Sequence, residues 1–480
     1  MKKIVVINLC LFSLALLASS CAVNPVSGQH ELMLLSESKE IQLGHQTDSQ
    51  VVHQYGIYDD PKLTNYLDGV YQRLSKLSHR PNLQYRFKIL DASVVNAFAV
   101  PGGYVYFTRG ILANLNSEAE LAGVMGHEIG HITARHSAQQ LSRAQLAQIG
   151  MGVGMIFSET FRDLAQLAQF GIGMLFLSFS RDNERQADDL GVEYSSKAGY
   201  DSTHMANFFE TLNRMGSSSD RSGLPSWFST HPDPEDRVKA IRTRANEWRQ
   251  KLGMRNLKTN RDQYLKSLHG LVFGEDPRQG YIKNNVFYHP TLRFQFPVPP
   301  KWKLQNTRTM VRIMNEKNDA INILTISTAR SPEEAARSYV SKSKASVIES
   351  RRATINGLPA YGLISQIRSQ QGLIRILSYF MRKNNKVYAF HGLSPLNRFN
   401  NYVSTFRNTM ERFNNLNDPE RINVKPDRLR VRPTPKEGSL RHVLQALGAP
   451  KNRLKALALL NGKELDERVP AKTLLKLVAK

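Results

Sequence analysis

The stretch SEAELAGVMGHEIGHITARH, Ser117 to His136, decides how the rest of the chain is read. Its apolar positions recur at helical spacing, and Ser117 with Glu120 forms a capping box that marks the helix start. His127 and His131 are four residues apart, so on a helix they share one face and both imidazoles can reach one cation. Imidazole suits zinc, and Glu128 sits where it can accept a proton from a metal-activated water. An amphipathic helix that merely carries histidines is the competing reading of the pentapeptide alone. His136 lies five residues beyond His131 and reads as a histidine on the helix surface.

A catalytic zinc needs a third protein ligand and keeps one position open. The stretch FSRDNERQADDLGVEY, Phe179 to Tyr194, supplies a candidate. Glu184 can ligate the metal. Asp188, four residues on and on the same face, can accept the second ring N–H of a ligand histidine and so fix its tautomer. Alone, this pair would read as a solvated charged face; beside HExxH it completes a site.

Bulk properties give this chemistry a setting. The 480 residues are too many for one ordinary domain. With 41% hydrophobic and 22% charged residues the chain is globular in composition. A net charge of +24 implies attraction to anionic surfaces or polymers. The N-terminus, MKKIVVINLCLFSLALLASSC, has two lysines, an apolar run and small residues, the layout of a secretory signal. Its end resembles a bacterial lipoprotein signal, which implies removal of residues 1–20 and a lipid on Cys21. Of the two cysteines, Cys10 would be lost with the signal, which leaves Cys21 and no disulfide even in an oxidising periplasm. In such lipoproteins Ala22 after the cysteine, in place of aspartate, implies retention at the outer membrane. Export argues against nucleic acid as the partner of the basic charge.

Residues 21–268 read as one mostly helical domain, interrupted by strand-like composition around Tyr85–Leu112 with a Pro-Gly-Gly turn. The uncharged runs 144–158 and 164–180 are short for membrane spans and read as a packed helical hairpin. Residues 284–415 are strand-rich, with a hairpin at Lys383–Lys386. One helix there is capped by Ser331 and Glu334; a second carries Phe399, Tyr402, Phe406, Met410 and Phe413 on one side. This α+β domain resembles the PsbP-like sandwich. A basic, proline-containing linker leads into residues 424–480, which resemble a degenerate LysM module: strand, two short helices, Asn-Gly, strand. The Asp-Thr usual after the first glycine of such modules is absent, since Ser439 and Leu440 follow Gly438.

Over residues 30–250 the motifs SESKEIQLG, NAFAVPGGYVYFTRGIL, SEAELAGVMGHEIGHITARH, FSRDNERQADDLG and STHPDPEDR together resemble the CAAX-prenyl-protease/HtpX-like gluzincin metallopeptidases. Within these the chain is most similar to the periplasmic lipoprotein branch. The fold expected is thus α+β: a mostly helical, zincin-like peptidase domain with a small sheet, followed by the strand-rich domain and the LysM-like module. The resemblance implies one zinc ion on His127, His131 and Glu184, with Glu128 as general base and Asp188 behind the ligands. His231 and Arg237 fall on the branch's His-Pro…Arg motif. His231 there either hydrogen-bonds the tetrahedral intermediate or approaches the zinc and blocks the water position. The strand at AFAVPGGYVYF would pair with substrate backbone. Where one member of that branch continues into helical repeats, this chain is strand-rich, so partner docking does not carry over.

The expectation is a zinc endopeptidase of the bacterial periplasm, anchored to the outer membrane by its lipid and acting on misfolded or unassembled envelope proteins. Two alternatives stand beside it. One is an envelope assembly or chaperone-like factor with a latent zinc site. The other is a zinc hydrolase of the cell wall, which the C-terminal module would contact.

Overall fold

The computed structural model describes residues 21–150, 178–217, 227–232, 236–369 and 372–480. The signal segment 1–20 and most of the runs 144–158 and 164–180 lie outside them. The chain forms two compact units, one of Met1–Gly274 with Asp427–Lys480 and the other of Glu275–Pro426. The architecture is α+β, helical in its first part and strand-rich after it.

The first unit starts with a short strand pair, β1 (Cys21–Val23) and β2 (His30–Leu32), and helices α1 (Glu37–Tyr55) and α2 (Pro61–Ser75). Asp60 caps α2, with Pro61 at its first position. Three strands follow, β3 (Arg86–Leu90), β4 (Ala97–Val100) and β5 (Tyr104–Thr108). Their order is β3-β5-β4, with β5 parallel to β3 and antiparallel to β4. The turn between β4 and β5 uses Gly102 and Gly103 at φ +79° and +92°, conformations that a side chain would strain. β4 is one of the two outer strands of this sheet.

Among the described residues six helices come next: α3 (Arg109–Asn114), α4 (Glu118–Thr133), α5 (His136–Gly150), α6 (Arg181–Lys197), α7 (His204–Ser217) and the single turn α8 (Trp227–Thr230). Helices α9 (Arg237–Lys251) and α10 (Arg261–Ser267) follow. α4 is buried along its whole length, which explains why its sequence is apolar on more than one face. The Ser117 hydroxyl accepts from the Glu120 amide as expected. The Glu120 carboxylate reaches one residue further back than a regular capping box, to the Asn116 amide at 2.7 Å.

Residues Asp427–Lys480 share the core of this unit. The strand Arg428–Pro433 pairs antiparallel with Leu474–Ala479, and Leu440, Leu444, Leu457 and Leu475 join Tyr264, Leu265 and the residues of α4 in one apolar cluster. The buried Lys476 ammonium donates to the Ala113 and Leu115 carbonyls at 2.7 and 2.9 Å, at the end of α3.

The second unit holds a seven-stranded antiparallel sheet. Its long hairpin, Gly372–Lys383 with Lys386–Pro395, closes at Lys383–Lys386 as the sequence predicts. A four-stranded sheet accompanies it. Phe399, Phe406, Met410 and Phe413 are buried with Phe287, Phe294 and Phe296, so the aromatic side of the helix Phe399–Met410 faces this core. Ser331 caps the helix Pro332–Ser343 through the Glu334 amide.

Candidate metal centre

Two helices cross at glycines, and the crossing makes the site. A β-carbon on Gly126 of α4 would meet the Gly191 carbonyl oxygen of α6 at 2.9 Å, and one on Gly130 would meet the Ala187 backbone at 3.2 Å. Such close approach lets side chains from both helices converge on one point. His127 and His131 project from α4, Glu184 from α6, and His231 follows α8; all four are buried.

The His127 Nε2 atom lies 3.1 Å from His131 Nε2 and 3.3 Å from His231 Nδ1. Glu184 Oε1 lies 3.0 Å from His231 Nδ1 and 3.5 Å from His131 Nε2, and Oε2 lies 3.6 Å from His127 Nε2. Ligands at about 2.0–2.1 Å around a tetrahedral zinc stand roughly 3.3–3.4 Å from one another. The donor set therefore fits such an ion. Hydrogen bonding points the same way. Asp188 Oδ1 accepts from His127 Nδ1 at 2.9 Å, which leaves the His127 Nε2 lone pair turned into the cluster. The Arg237 guanidinium also donates to Asp188 Oδ1, at 2.7 Å, and packs over the Phe209 ring at 3.7 Å.

Electrostatics follow the geometry. Burial raises the Glu184 and Asp188 carboxyls, but the neighbouring His231, His127 and Arg237 outweigh it and hold both below their ordinary values. Burial lowers His231, yet Glu184 and Glu128 reverse this and raise it. Burial, with the surrounding imidazoles, drives His131 well below its usual value, so it is neutral and able to ligate. Glu128 stands beside the cluster with Oε1 3.6 Å from His231 Nε2. Burial pushes its carboxyl above the ordinary range, with His231 and His127 opposing. A buried carboxylate poised in this way suits a group that exchanges protons.

Sequence reasoning placed His127, His131, Glu184 and Asp188 together, and here they meet. His231, expected at the site only from the family motif, is buried and stacked on Trp227 at 4.3 Å. His136 corrects the sequence reading. It is buried rather than on a helix surface, because Arg135 at φ +56° ends the run of α4 and folds the chain back. Its Nδ1 lies 2.9 Å from His131 Nδ1, and its Nε2 lies 2.8 Å from Gln186 Oε1. Burial pulls His136 down to about 4. The helix count of residues could not have revealed this, since the contact depends on one left-handed residue. Phe179, stacked on His131 at 4.1 Å, was also not anticipated. Cys21 lies in β1.

The beta-barrel assembly-enhancing protease of Escherichia coli K12 is 31% identical over 241 residues, 48% of this chain and 49% of that protein. The mitochondrial metalloendopeptidase OMA1 of Arabidopsis thaliana is 31% identical over 164 residues, 34% of this chain and 32% of that one. The chain spans about half the length of the first of these relatives and a third of the second. Among solved structures, the cyanobacterial PsbP of Synechocystis sp. PCC 6803 matches at a TM-score of 0.24 and 14% identity, covering 27% of this chain and 89% of that one; this is too low a score to assign the fold of the strand-rich unit. Residues 61–245, which span α2 to α9 and all four clustered donors, match Peptidase family M48, and the chain thus carries a peptidase M48 domain.

Proposed function

We propose that this chain is a zinc-dependent endopeptidase that cleaves misfolded or unassembled proteins of the bacterial cell envelope. The observation that carries the reading is the buried Glu128 carboxylate beside a four-donor cluster whose spacings suit zinc. His127, His131 and Glu184 would hold the ion. Zinc bound there supplies Lewis-acid polarisation of a carbonyl and acidifies a water molecule. Glu128 takes the proton of the attacking water and hands it to the leaving amine. β4 lies against α4, and as an outer strand it can pair with an extended substrate, giving affinity through the main chain with little demand on sequence. Asp188 orients His127, and Arg237 neutralises the buried carboxylates behind it.

His231 adds a second state to this reading. Its Nδ1 lies 3.3 Å from His127 Nε2 and 3.0 Å from Glu184 Oε1, so it would be a fourth donor to an ion held by His127, His131 and Glu184, in place of the water that a catalytic zinc needs. With His231 as that fourth donor the site would be closed and latent, and His231 would withdraw for a substrate to enter. That observation favours the latent form of the site over permanent activity.

The envelope as compartment is supported by the lipoprotein-like N-terminus with Cys21, a pattern that goes with outer-membrane retention in lipoproteins of this type, and by the name of the Escherichia coli relative. Among the described residues no helix is long and apolar enough to cross a membrane. The test is cleavage of an unfolded substrate such as casein by the zinc-loaded protein and by Glu128→Gln. Loss of cleavage with zinc retained is expected; unchanged cleavage by the variant rejects the mechanism.

A further inference from the structure

His131 can offer Nε2 to the cluster only if its ring proton sits on Nδ1. That Nδ1 faces the Nδ1 of His136 at 2.9 Å, so one of these two nitrogens carries a hydrogen and the other does not. The choice is made at the far end of His136, where Nε2 lies 2.8 Å from Gln186 Oε1. An amide oxygen only accepts, so His136 Nε2 carries the proton and His136 Nδ1 is bare. His131 Nδ1 must then donate, and its Nε2 lone pair turns to the cluster.

The reversed chain has the opposite result. If the group at position 186 donates to His136 Nε2, His136 carries its hydrogen on Nδ1 and His131 on Nε2. That hydrogen would point into the 3.1 Å gap between the Nε2 atoms of His131 and His127, where a cation has to sit. Phe179 covers the His131 ring at 4.1 Å and approaches His136 at 6.1 Å, and both histidines are buried. The two ligand histidines are thus oriented differently, His127 by the carboxylate of Asp188 and His131 by a neutral imidazole–amide chain.

We infer that His136 and Gln186 are positioning residues that hold His131 in its metal-accepting tautomer, the orientation at Gln186 deciding whether the site accepts or refuses its ion. The inference rests on reading the four-donor cluster as a metal centre.

The test is zinc affinity, measured on the full chain by competition with a chromophoric chelator, without reference to activity. Gln186 is only partly buried, so its variants should fold. Gln186→Glu keeps an acceptor and should bind zinc within about threefold of wild type, whereas Gln186→Lys forces donation and should bind about 10–100-fold more weakly. Repeating the pair at 1 M salt screens a simple charge effect, and the gap should persist. His136→Asn, whose Oδ1 can occupy the acceptor position of Nδ1, should retain most of the affinity, and His136→Phe should lose about 10–100-fold. Equal affinities for the Glu and Lys variants at position 186, or equal losses for the Asn and Phe variants at position 136, overturn the proposal while leaving the metal centre intact. If His136→Phe fails to fold, the pair at 186 decides. Wild-type protein that binds no zinc overturns the metal-centre reading and this proposal with it.

Discussion

Gly126 and Gly191 touch where α4 and α6 cross: a β-carbon on Gly191 would stand 2.9 Å from the His127 amide nitrogen and 3.0 Å from the Gly123 carbonyl oxygen. Both obstacles are backbone, so the helices themselves would have to part. Gly191→Ala should therefore destabilise the fold by about 1–3 kcal/mol in urea unfolding. It should also weaken zinc binding, because Glu184 is carried on the helix that moves. A variant as stable as wild type and equally tight for zinc would show that the crossing has slack and that the glycines do not set the site.

Asp188 bears on the same ligand from behind. Asp188→Asn removes the charge that faces Arg237 at 2.7 Å, and it can turn an NH₂ toward His127 Nδ1. Donation from that NH₂ would place the His127 hydrogen on Nε2, pointing into the cluster. Zinc affinity should fall about 10–100-fold, read by chelator competition. Breaking a buried ion pair by neutralising one partner should also cost about 3–5 kcal/mol in unfolding experiments.

His231 tests the latent state. His231→Ala removes the donor at the fourth corner and leaves His127, His131 and Glu184. Cleavage of casein by the zinc-loaded variant should rise above that of wild type, with zinc affinity falling about tenfold. Cobalt substitution gives a second readout, since the visible absorption should shift as a ring nitrogen is replaced by water. If cleavage disappears while zinc stays bound, His231 acts in catalysis rather than as a gate.

Much of this site was legible in the sequence because its parts obey helical periodicity. His127 and His131, or Glu184 and Asp188, are each four apart on one helix, so spacing alone puts each pair on one face. What brings the two pairs together is a glycine contact between helices, which no periodicity announces; the resemblance to known metallopeptidases supplied that step. His231 and His136 depend on turns. One follows the single turn Trp227–Thr230, and the other follows Arg135 in the left-handed region. Reading His136 as an extension of α4 put it on a surface, whereas the bend folds it onto His131. The second unit was legible as strands and hairpins from alternation and turn residues. The layout of strand, two short helices and strand near the C-terminus was legible in the same way. That Asp427–Lys480 shares a core with the helices was not, since such contacts lie hundreds of residues apart in sequence.

Lys476 is the sharpest of those long-range contacts and supplies a pH test. Its Nζ satisfies the Ala113 and Leu115 carbonyls just ahead of α4, and burial pulls its ammonium down to about 7, with Glu120 opposing. Lys476→Met leaves these acceptors without their donor. The cost expected is about 1–3 kcal/mol for an unsatisfied buried group. The sign of its pH dependence follows from linkage. In the unfolded chain the lysine titrates near about 10.4, so between pH 7 and that value the folded state binds fewer protons than the unfolded one. This lysine's contribution to stability therefore rises as pH rises across that window, and the variant has no such group. Glu120 acts in the same direction. Burial raises it to about 7, and the loss of Lys476 would raise it further, so the variant pays more to ionise it. The stability gap between wild type and Lys476→Met should widen from pH 7 to pH 10 in urea titrations. A gap that narrows with pH would mean that the lysine is held as a fully charged ammonium, tied to Glu120 as a permanent ion pair.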